Sequence, residues 1–260
     1  MGVVGAWPFV RKKGYEPTFA HPNSARFNPT SQGRLRHIDI LGCFFSTIRR
    51  AYSCYDADKA HLIVESAIKK YALPTNSILY MDGQPSQEKR ATNVRRQEIR
   101  DKAVRQAELD IIRLEDRVGT KQKMRKQVYF SAKRNLEKAF SWALIAKQSL
   151  IEFLLSNGWT VVICETEADV TIARYSQPDD IVVSRDSDLL FYHNVGTLWR
   201  PLSGNKFLIY DIAQVLMVLQ INKDQWTALG VVSKNDYTAN ITSLGLQKQL
   251  WYHQEPRGDR

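Results

Sequence analysis

Four short apolar runs along the chain share one feature: each ends in, or leads directly into, acidic residues. Leu35-Arg36-His37-Ile38-Asp39-Ile40 precedes a helical pattern over Phe44 to Tyr52. Ser77-Ile78-Leu79-Tyr80-Met81 runs into Asp82-Gly83, and Thr160-Val161-Val162-Ile163-Cys164 leads through Glu165 to Glu167 and Asp169. Asp180-Ile181-Val182-Val183-Ser184 leads to Asp186 and Asp188. Runs of this length rich in Val and Ile read as buried strands, and helical patterns between them imply crossover units with a largely parallel sheet, an α/β class. In such a sheet the C-terminal strand ends share one edge, and ligands bind in the crevice outside it. The acids are therefore expected to converge. Ala139 to Leu155 predicts an apolar helix, with Asn157-Gly158 as its left-handed stop.

Residues 88–138 follow a different pattern. Val104, Ala107, Ile111, Leu114 and Val118 recur at spacings of three and four, a narrow seam on a charged helix. A single helix over 88–118 would be about 46 Å long, and Gly119-Thr120 would turn it back into a second helix beginning near Lys121, giving a projecting hairpin. A dimeric coiled coil is the competing reading of the same seam.

Charge sharpens this division. The 260 residues carry a net +10, and the 51 residues from Glu88 to Lys138 hold 16 basic against 8 acidic side chains, so nearly all the excess is local. A basic segment on a near-neutral body points to a polyanion, most often nucleic acid, because each cation near a phosphate releases condensed counterions; a solvated helix surface is the plainer alternative. With 43% hydrophobic and 25% charged residues the composition is that of a globular protein, not a disordered or collagen-like one. The apolar stretches are too short to span a membrane, and Arg11, Lys12 and Lys13 follow Pro8 too closely for a signal-peptide core. Cys43, Cys54 and Cys164 have no CxxC or CxxxH spacing, which argues against a disulfide framework or zinc site.

Seven acids stand out by position: Asp39, Asp82, Glu167, Asp169, Asp186, Asp188 and Asp236. An isolated Asp-x-Asp pair is usually a turn or helix cap. Four strand ends delivering acids to one edge demand more, since neighbouring carboxylates oppose each other's ionisation. Hard divalent cations neutralise such a cluster; Mg²⁺ binds through a few carboxylates while keeping waters and phosphate oxygens. Two ions about 4 Å apart clamp the attacking and leaving oxygens of a phosphoryl displacement. His21, His37, His61, His193 and His253 are scattered, and no P-loop or GxGxxG motif competes.

These residues resemble the flap endonuclease and XPG-type structure-specific nucleases. Met1-Gly2-Val3-Val4-Gly5 looks like the family's N-terminus, with Gly2 near the active site, and Ile38-Asp39-Ile40 looks like its first metal-ligand strand. Phe45 falls where the family places an aromatic that stacks on a base, although a core Phe would read the same. Met81-Asp82-Gly83-Gln84-Pro85 is similar to the Asp-Gly-x-Pro motif, and Lys89 and Arg96 fall where the family has phosphate-contacting basic residues at the base of its arch. Glu167-Ala168-Asp169 resembles the Glu-Ala-Asp/Glu block, with Glu165 an extra acid outside it. Arg185-Asp186-Ser187-Asp188-Leu189-Leu190 and Gly230 to Asn235-Asp236-Tyr237 resemble the two remaining blocks. The pattern departs from the family at Asn235, where a Cys is usual, at Ser243-Leu244-Gly245-Leu246, where a Gly-Ile-Gly hairpin is usual, and over Arg11 to Arg34.

The resemblance implies a PIN-like three-layer fold with a mostly parallel sheet flanked by helices, plus a basic helical arch. It divides the chain into 1–87 and 139–246 as the two parts of the nuclease core, 88–138 as the arch and 247–260 as a tail or the start of a duplex-binding region, since the family continues beyond the position of Arg260. The implied activity is Mg²⁺-dependent endo- or exonucleolytic hydrolysis of branched or 5′-ended nucleic acid, DNA before RNA, with Mn²⁺ as a substitute. The seven acids would hold two ions, and Lys89 and Arg96 would serve catalysis. Gly2, Phe45, Arg95, Arg100, Lys121, Lys123, Arg125 and Lys126 would contact nucleic acid. A monomer without a membrane partner or clamp-binding tail, acting in DNA repair in the nucleus, is the corresponding expectation. A non-catalytic PIN-like adaptor binding RNA or protein is the alternative.

Overall fold

A computed structural model describes residues 3–21, 34–84, 90–121, 123, 126–203, 206–233, 246 and 250. In chain order its elements are α1 (Ala6–Lys12), β1 (Thr18–Ala20), β2 (Arg36–Asp39), α2 (Ile40–Cys54), α3 (Ala57–Ile68), β3 (Ser77–Met81), α4 (Arg90–Gly119), α5 (Lys126–Ala139), α6 (Leu144–Ser156), β4 (Thr160–Ile163), α7 (Ala168–Tyr175), β5 (Ile181–Val183), β6 (Thr197–Pro201), β7 (Phe207–Asp211), α8 (Ile212–Leu219) and α9 (Lys223–Val232). Short 3-10 turns lie at Pro74–Asn76 and Asp188–Leu190.

The strands form one sheet in the order β1-β7-β6-β5-β2-β3-β4. The four strands expected from the apolar runs are adjacent and parallel: Ile38 on β2 registers with Leu79 on β3 and Val183 on β5, and Met81 with Ile163 on β4. β6 continues the parallel set beside β5, while β7 and β1 add an antiparallel edge. These last three strands are not among the predicted runs, although Phe207-Leu208-Ile209-Tyr210-Asp211 of β7 is an apolar run of the same kind. β6 contains Arg200 and Pro201, β1 is three residues long, and both depend on pairing with β7 across the chain.

Side chains alternate across this sheet with the period of two that pleating imposes. Ile38, Leu79, Met81, Ile181, Val183, Trp199 and Phe207 face the layer of α2, α3 and α6. Tyr80, Val182, Leu198 and Tyr210 face the layer of α1, α7, α8 and α9. The centre of the sheet is thus covered on both sides, which is why β3 and β5 read as nearly continuous apolar runs, whereas the edge strand β4 leaves Thr160 and Ile163 exposed. The expected stop after α6 is present: Gly158 sits at φ +80°, the Trp159 amide donates to the Leu154 carbonyl at 3.1 Å and the Gly158 amide to Leu155 at 3.0 Å.

Two helical expectations are corrected. The apolar stretch from Ala139 to Leu155 is not one helix, because 140–143 break it between α5 and α6. The second helix of the hairpin begins at Lys126 instead of near Lys121. The seam holds at Ala107, which is buried, and at Leu114, which is half-buried, but not at its other positions. Ala103, Ala107 and Asp110 are the buried positions of α4, whereas Val104, Ile111 and Val118 are exposed. The physical reason is a polar centre between α4 and α5. The Asp110 carboxylate, 3% exposed, accepts from Asn135 at 2.8 Å and from Gln106 at 3.2 Å, and Ala132 on α5 is buried. Small residues let the helix backbones approach, and the bonds to Asp110 fix which faces meet. The inward positions of α4 are therefore met by α5 of the same chain. Among the described residues no helix is long and apolar enough to cross a membrane.

Candidate active site

Because β5, β2, β3 and β4 are neighbours running in one direction, the segments leaving them emerge on one edge. Asp39 ends β2 and caps α2: its Oδ1 accepts from the Gly42 amide at 2.7 Å, and its Oδ2 accepts from the Ser184 hydroxyl at 2.8 Å. It is buried, and that burial, reinforced by the nearby charge of Asp82 and then of Asp186, raises its pKa to about 7 against the pull of the two hydrogen bonds. Gly42 makes this arrangement possible, since a Cβ there would lie 2.0 Å from Asp39 Oδ2.

Asp82 follows β3, and its Oδ1 accepts from the Ala168 amide at 2.8 Å. The first free amide of α7 is thus taken by a carboxylate from another strand, while Glu167, the residue at the cap position, makes no side-chain cap. Asp82 and Glu167 are brought together through that bond. The crossing is close: the Gly83 amide donates to the Thr166 carbonyl at 2.6 Å and the Gln84 amide to Glu165 at 3.0 Å. A Cβ on Gly83 would meet the Cys164 carbonyl oxygen at 1.8 Å. The extra acid Glu165 is exposed.

Asp169 lies buried in the first turn of α7 and accepts from its neighbour Val170 at 2.9 Å and from the Tyr192 hydroxyl at 3.4 Å. Tyr192 has its phenol held protonated far above the ordinary range, first by burial and then by Asp169, Asp188, Glu167 and Asp186. Asp186 donates its amide to Ser184 Oγ at 3.0 Å and accepts the Asp188 amide at 3.1 Å, and Asp188 is buried at the start of its 3-10 turn. Asp186 therefore joins two groups, one with Asp39 and Asp82 and one with Glu167, Asp169 and Asp188 around Tyr192. Six of the seven predicted acids lie at this edge; Asp236 lies outside the described residues. Among the described residues no three His, Cys, Asp or Glu side chains are grouped closely enough to cage one metal ion.

The basic and aromatic candidates divide. Arg96 and Arg100 are half-buried on α4, Arg95 is exposed there, and Lys121, Lys123 and Lys126 are exposed around the hairpin turn. Phe45 is 45% exposed on α2, edge-on to Phe140 at 6.1 Å, so it is not a core residue. It lines a cleft of about 560 Å³ with Val3, Gly5, Arg185 and Arg200. Gly2, Lys89, Arg125 and the stretch 243–245 lie outside the described residues. Sequence reasoning missed Ser184, Tyr192 and Lys147, whose ammonium donates to the Asp82 carbonyl. A lone Ser, Tyr or Lys carries no spacing signal, and each reaches the edge only through the fold.

No family model matches the sequence, and no curated protein matches it. Solved structures do. The catalytic core of Rad2 in complex with DNA substrate superposes with a TM-score of 0.58 at 13% identity, covering 96% of this chain and 68% of that one. Human GEN1 in complex with Holliday junction DNA gives 0.58 at 11% identity, with 99% and 56% covered. Flap endonuclease-1 from Methanococcus jannaschii gives 0.52 at 16% identity, with 92% and 75% covered. The chain thus has the α/β PIN-like fold of the flap endonuclease and XPG-type nucleases, and it spans little more than half the length of GEN1.

Proposed function

We propose that the protein is a metal-dependent, structure-specific nuclease that hydrolyses phosphodiester bonds in branched or 5′-ended nucleic acid, with DNA as the favoured substrate. The observation that carries this reading is the delivery of six acids by four adjacent parallel strands to one edge, where Asp39 is pushed to a pKa of about 7 by burial and by its neighbours. A capping role accounts for Asp39 but not for the crowding around it. The donor set is all hard oxygen, which fits Mg²⁺ or Mn²⁺.

Asp39, Asp82, Glu167, Asp169, Asp186, Asp188 and Asp236 are the residues we assign to two such ions. When bound, they supply charge stabilisation of the phosphoryl group and a water acidic enough to attack at neutral pH. The chain's own groups do the rest. Ser184 and Gly42 hold the Asp39 carboxylate in one orientation, and Tyr192, whose phenol stays protonated, donates a hydrogen bond to Asp169. Arg96, with Lys89, is assigned to the scissile phosphate, where fixed cations oppose the charge that builds there. Arg95, Arg100, Lys121, Lys123, Arg125 and Lys126 give the hairpin its attraction for the phosphate backbone. The DNA complexes of the Rad2 core and of GEN1 support a nucleic-acid substrate for this fold.

The test is cleavage of end-labelled 5′-flap, duplex and single-stranded substrates, as DNA and as RNA, with Mg²⁺, Mn²⁺ or EDTA. Cutting at a junction that needs the metal and is lost in Asp186→Ala plus Asp188→Ala is the expected result. Binding without cleavage under either metal, or cleavage unaffected by the double substitution, overturns the proposal and favours the adaptor.

A further inference from the structure

Below the carboxylate edge, three polar side chains form one hydrogen-bonded chain across three strands. The Tyr80 hydroxyl on β3 lies 2.8 Å from Nδ1 of His37 on β2, and Nε2 of His37 lies 3.0 Å from Oδ2 of Asp180, the residue that precedes β5. His37 and Tyr80 are buried and Asp180 nearly so. With the Asp180 carboxylate as acceptor, Nε2 carries the ring proton and Nδ1 accepts from the Tyr80 hydroxyl. Asp180 Oδ2 also accepts the Gln177 amide at 2.8 Å, so every member of the chain is engaged.

Ordinary core packing does not call for this. Val182 and Leu198 fill the same side of the sheet with apolar groups. Polar groups in their midst cost desolvation that only a complete set of bonds offsets, and well-packed apolar residues would serve stability as well. What the bonds add is direction. Tyr80 registers with Asp39, and His37 with Ile78 and Val182, so the contacts run diagonally and form at one offset of the three strands. Residues two apart on a strand share a face, about 6.6 Å apart. Asp39 follows His37 by two residues, and Asp82 follows Tyr80 by two. Asp180 lies between α7, which carries Asp169 behind Glu167, and β5, which leads to Asp186 and Asp188. The chain thus touches every segment that delivers an acid to the edge. Arg34 ties down the same loop, donating to the Asp179 and Asp180 carbonyls and to Thr197 Oγ1.

We propose that His37 is a positioning residue: through Tyr80 and Asp180 it fixes β2, β3 and β5 relative to one another and so sets the spacing of the carboxylates assigned to the metal ions. This rests on the nuclease reading for what the carboxylates hold. The full chain is titrated with Mn²⁺ in the absence of nucleic acid, free Mn²⁺ being read by electron paramagnetic resonance, and each variant is also unfolded in urea. Asp186→Ala plus Asp188→Ala identifies the binding that belongs to the edge.

His37→Leu leaves Tyr80 and Asp180 without their partner and is expected to lower both the urea midpoint and the Mn²⁺ affinity, the latter about tenfold. Adding Tyr80→Phe and Asp180→Asn removes the orphaned groups and is expected to recover the midpoint while the affinity stays about tenfold weak. His37→Gln, whose amide offers a donor to Asp180 and an acceptor to Tyr80, is expected to regain most of the affinity. Tyr80→Phe, which deletes one hydroxyl and keeps the ring, is expected to weaken Mn²⁺ about threefold and carries the test where the larger replacements unfold. In cleavage assays the Mg²⁺ concentration for half-maximal rate should rise by the same factors with KM for flap DNA unchanged. Affinity that returns with the midpoint in the triple variant, or that His37→Leu and Tyr80→Phe leave unaltered, overturns the proposal. His37-dependent Mn²⁺ binding at the edge of a protein that never cuts removes the nuclease reading alone. Cleavage with metal binding indifferent to His37 removes this one alone, and an unaltered protein that binds no Mn²⁺ removes both.

Discussion

The hydroxyl of Ser184 bridges two strand ends: it donates to Asp39 Oδ2 at 2.8 Å and accepts the amide of Asp186 at 3.0 Å. One small side chain thus sets the orientation of the most buried carboxylate at this edge and the path of the loop that carries two more. Ser184→Ala removes a bond that favours the ionised form of Asp39 and lifts its pKa further above about 7. In a cleavage assay the acid limb of the pH profile should move to higher pH, with a loss of about 1 to 2 kcal/mol in stability from the vacated bond. Ser184→Thr, which keeps the hydroxyl, should leave the limb in place.

The raised Asp39 pKa also dictates how stability depends on pH in the metal-free protein. The native carboxyl keeps its proton up to about 7, whereas an unfolded one loses it near the ordinary 3.8. Between those values the native state holds more protons, so Asp39's contribution is fully present below the lower value and is lost as pH rises through the upper one. Urea unfolding from about pH 4 to about pH 8 should show a decline of up to about 4 kcal/mol attributable to this residue. Asp39→Asn should flatten the decline, and added Mg²⁺ should raise stability at pH 8 more than at pH 5.

Gly83→Ala tests the crossing that anchors Asp82. A Cβ at 1.8 Å from the Cys164 carbonyl forces apart two backbones that are hydrogen-bonded on both sides of it. A destabilisation of about 2 to 4 kcal/mol is expected. Cleavage should fall beyond what unfolding explains, because the Asp82 bond to Ala168 shifts with the loop. Wild-type stability by calorimetry would show that the crossing has room to relax.

Asp110 should control the hairpin and nothing else. Its pKa lies below the usual carboxylate range, chiefly through the Asn135 bond, so its contribution is present at neutral pH and lost as pH falls through that depressed value. Asp110→Ala should loosen α4 from α5 by about 1 to 2 kcal/mol. Hydrogen exchange should then rise over residues 90–139 while β2, β3 and β5 keep their protection.

Much of this molecule is written locally. β3 and β5 lie inside the sheet and are apolar along most of their length, so they are legible as runs, as are the shorter apolar cores of β2 and β4, and the acids at their ends are legible as punctuation. The stop at Gly158 is equally local, since a left-handed residue there needs no distant partner. The register of α4 is not local. Val104 and Ile111 fit the heptad better than Asp110, yet Asp110 is buried because Asn135, 25 residues away, donates to it. β1 and β6 exist through pairing with β7, and their own length and composition give little signal. Local patterning thus specifies four of the parallel strands, the basic hairpin and the six acids at the strand ends. Tertiary structure alone decided that Ser184, Tyr192 and Lys147 serve those acids and that His37, Tyr80 and Asp180 join below them. Burial and pairing bring together residues whose separation in sequence carries no periodicity.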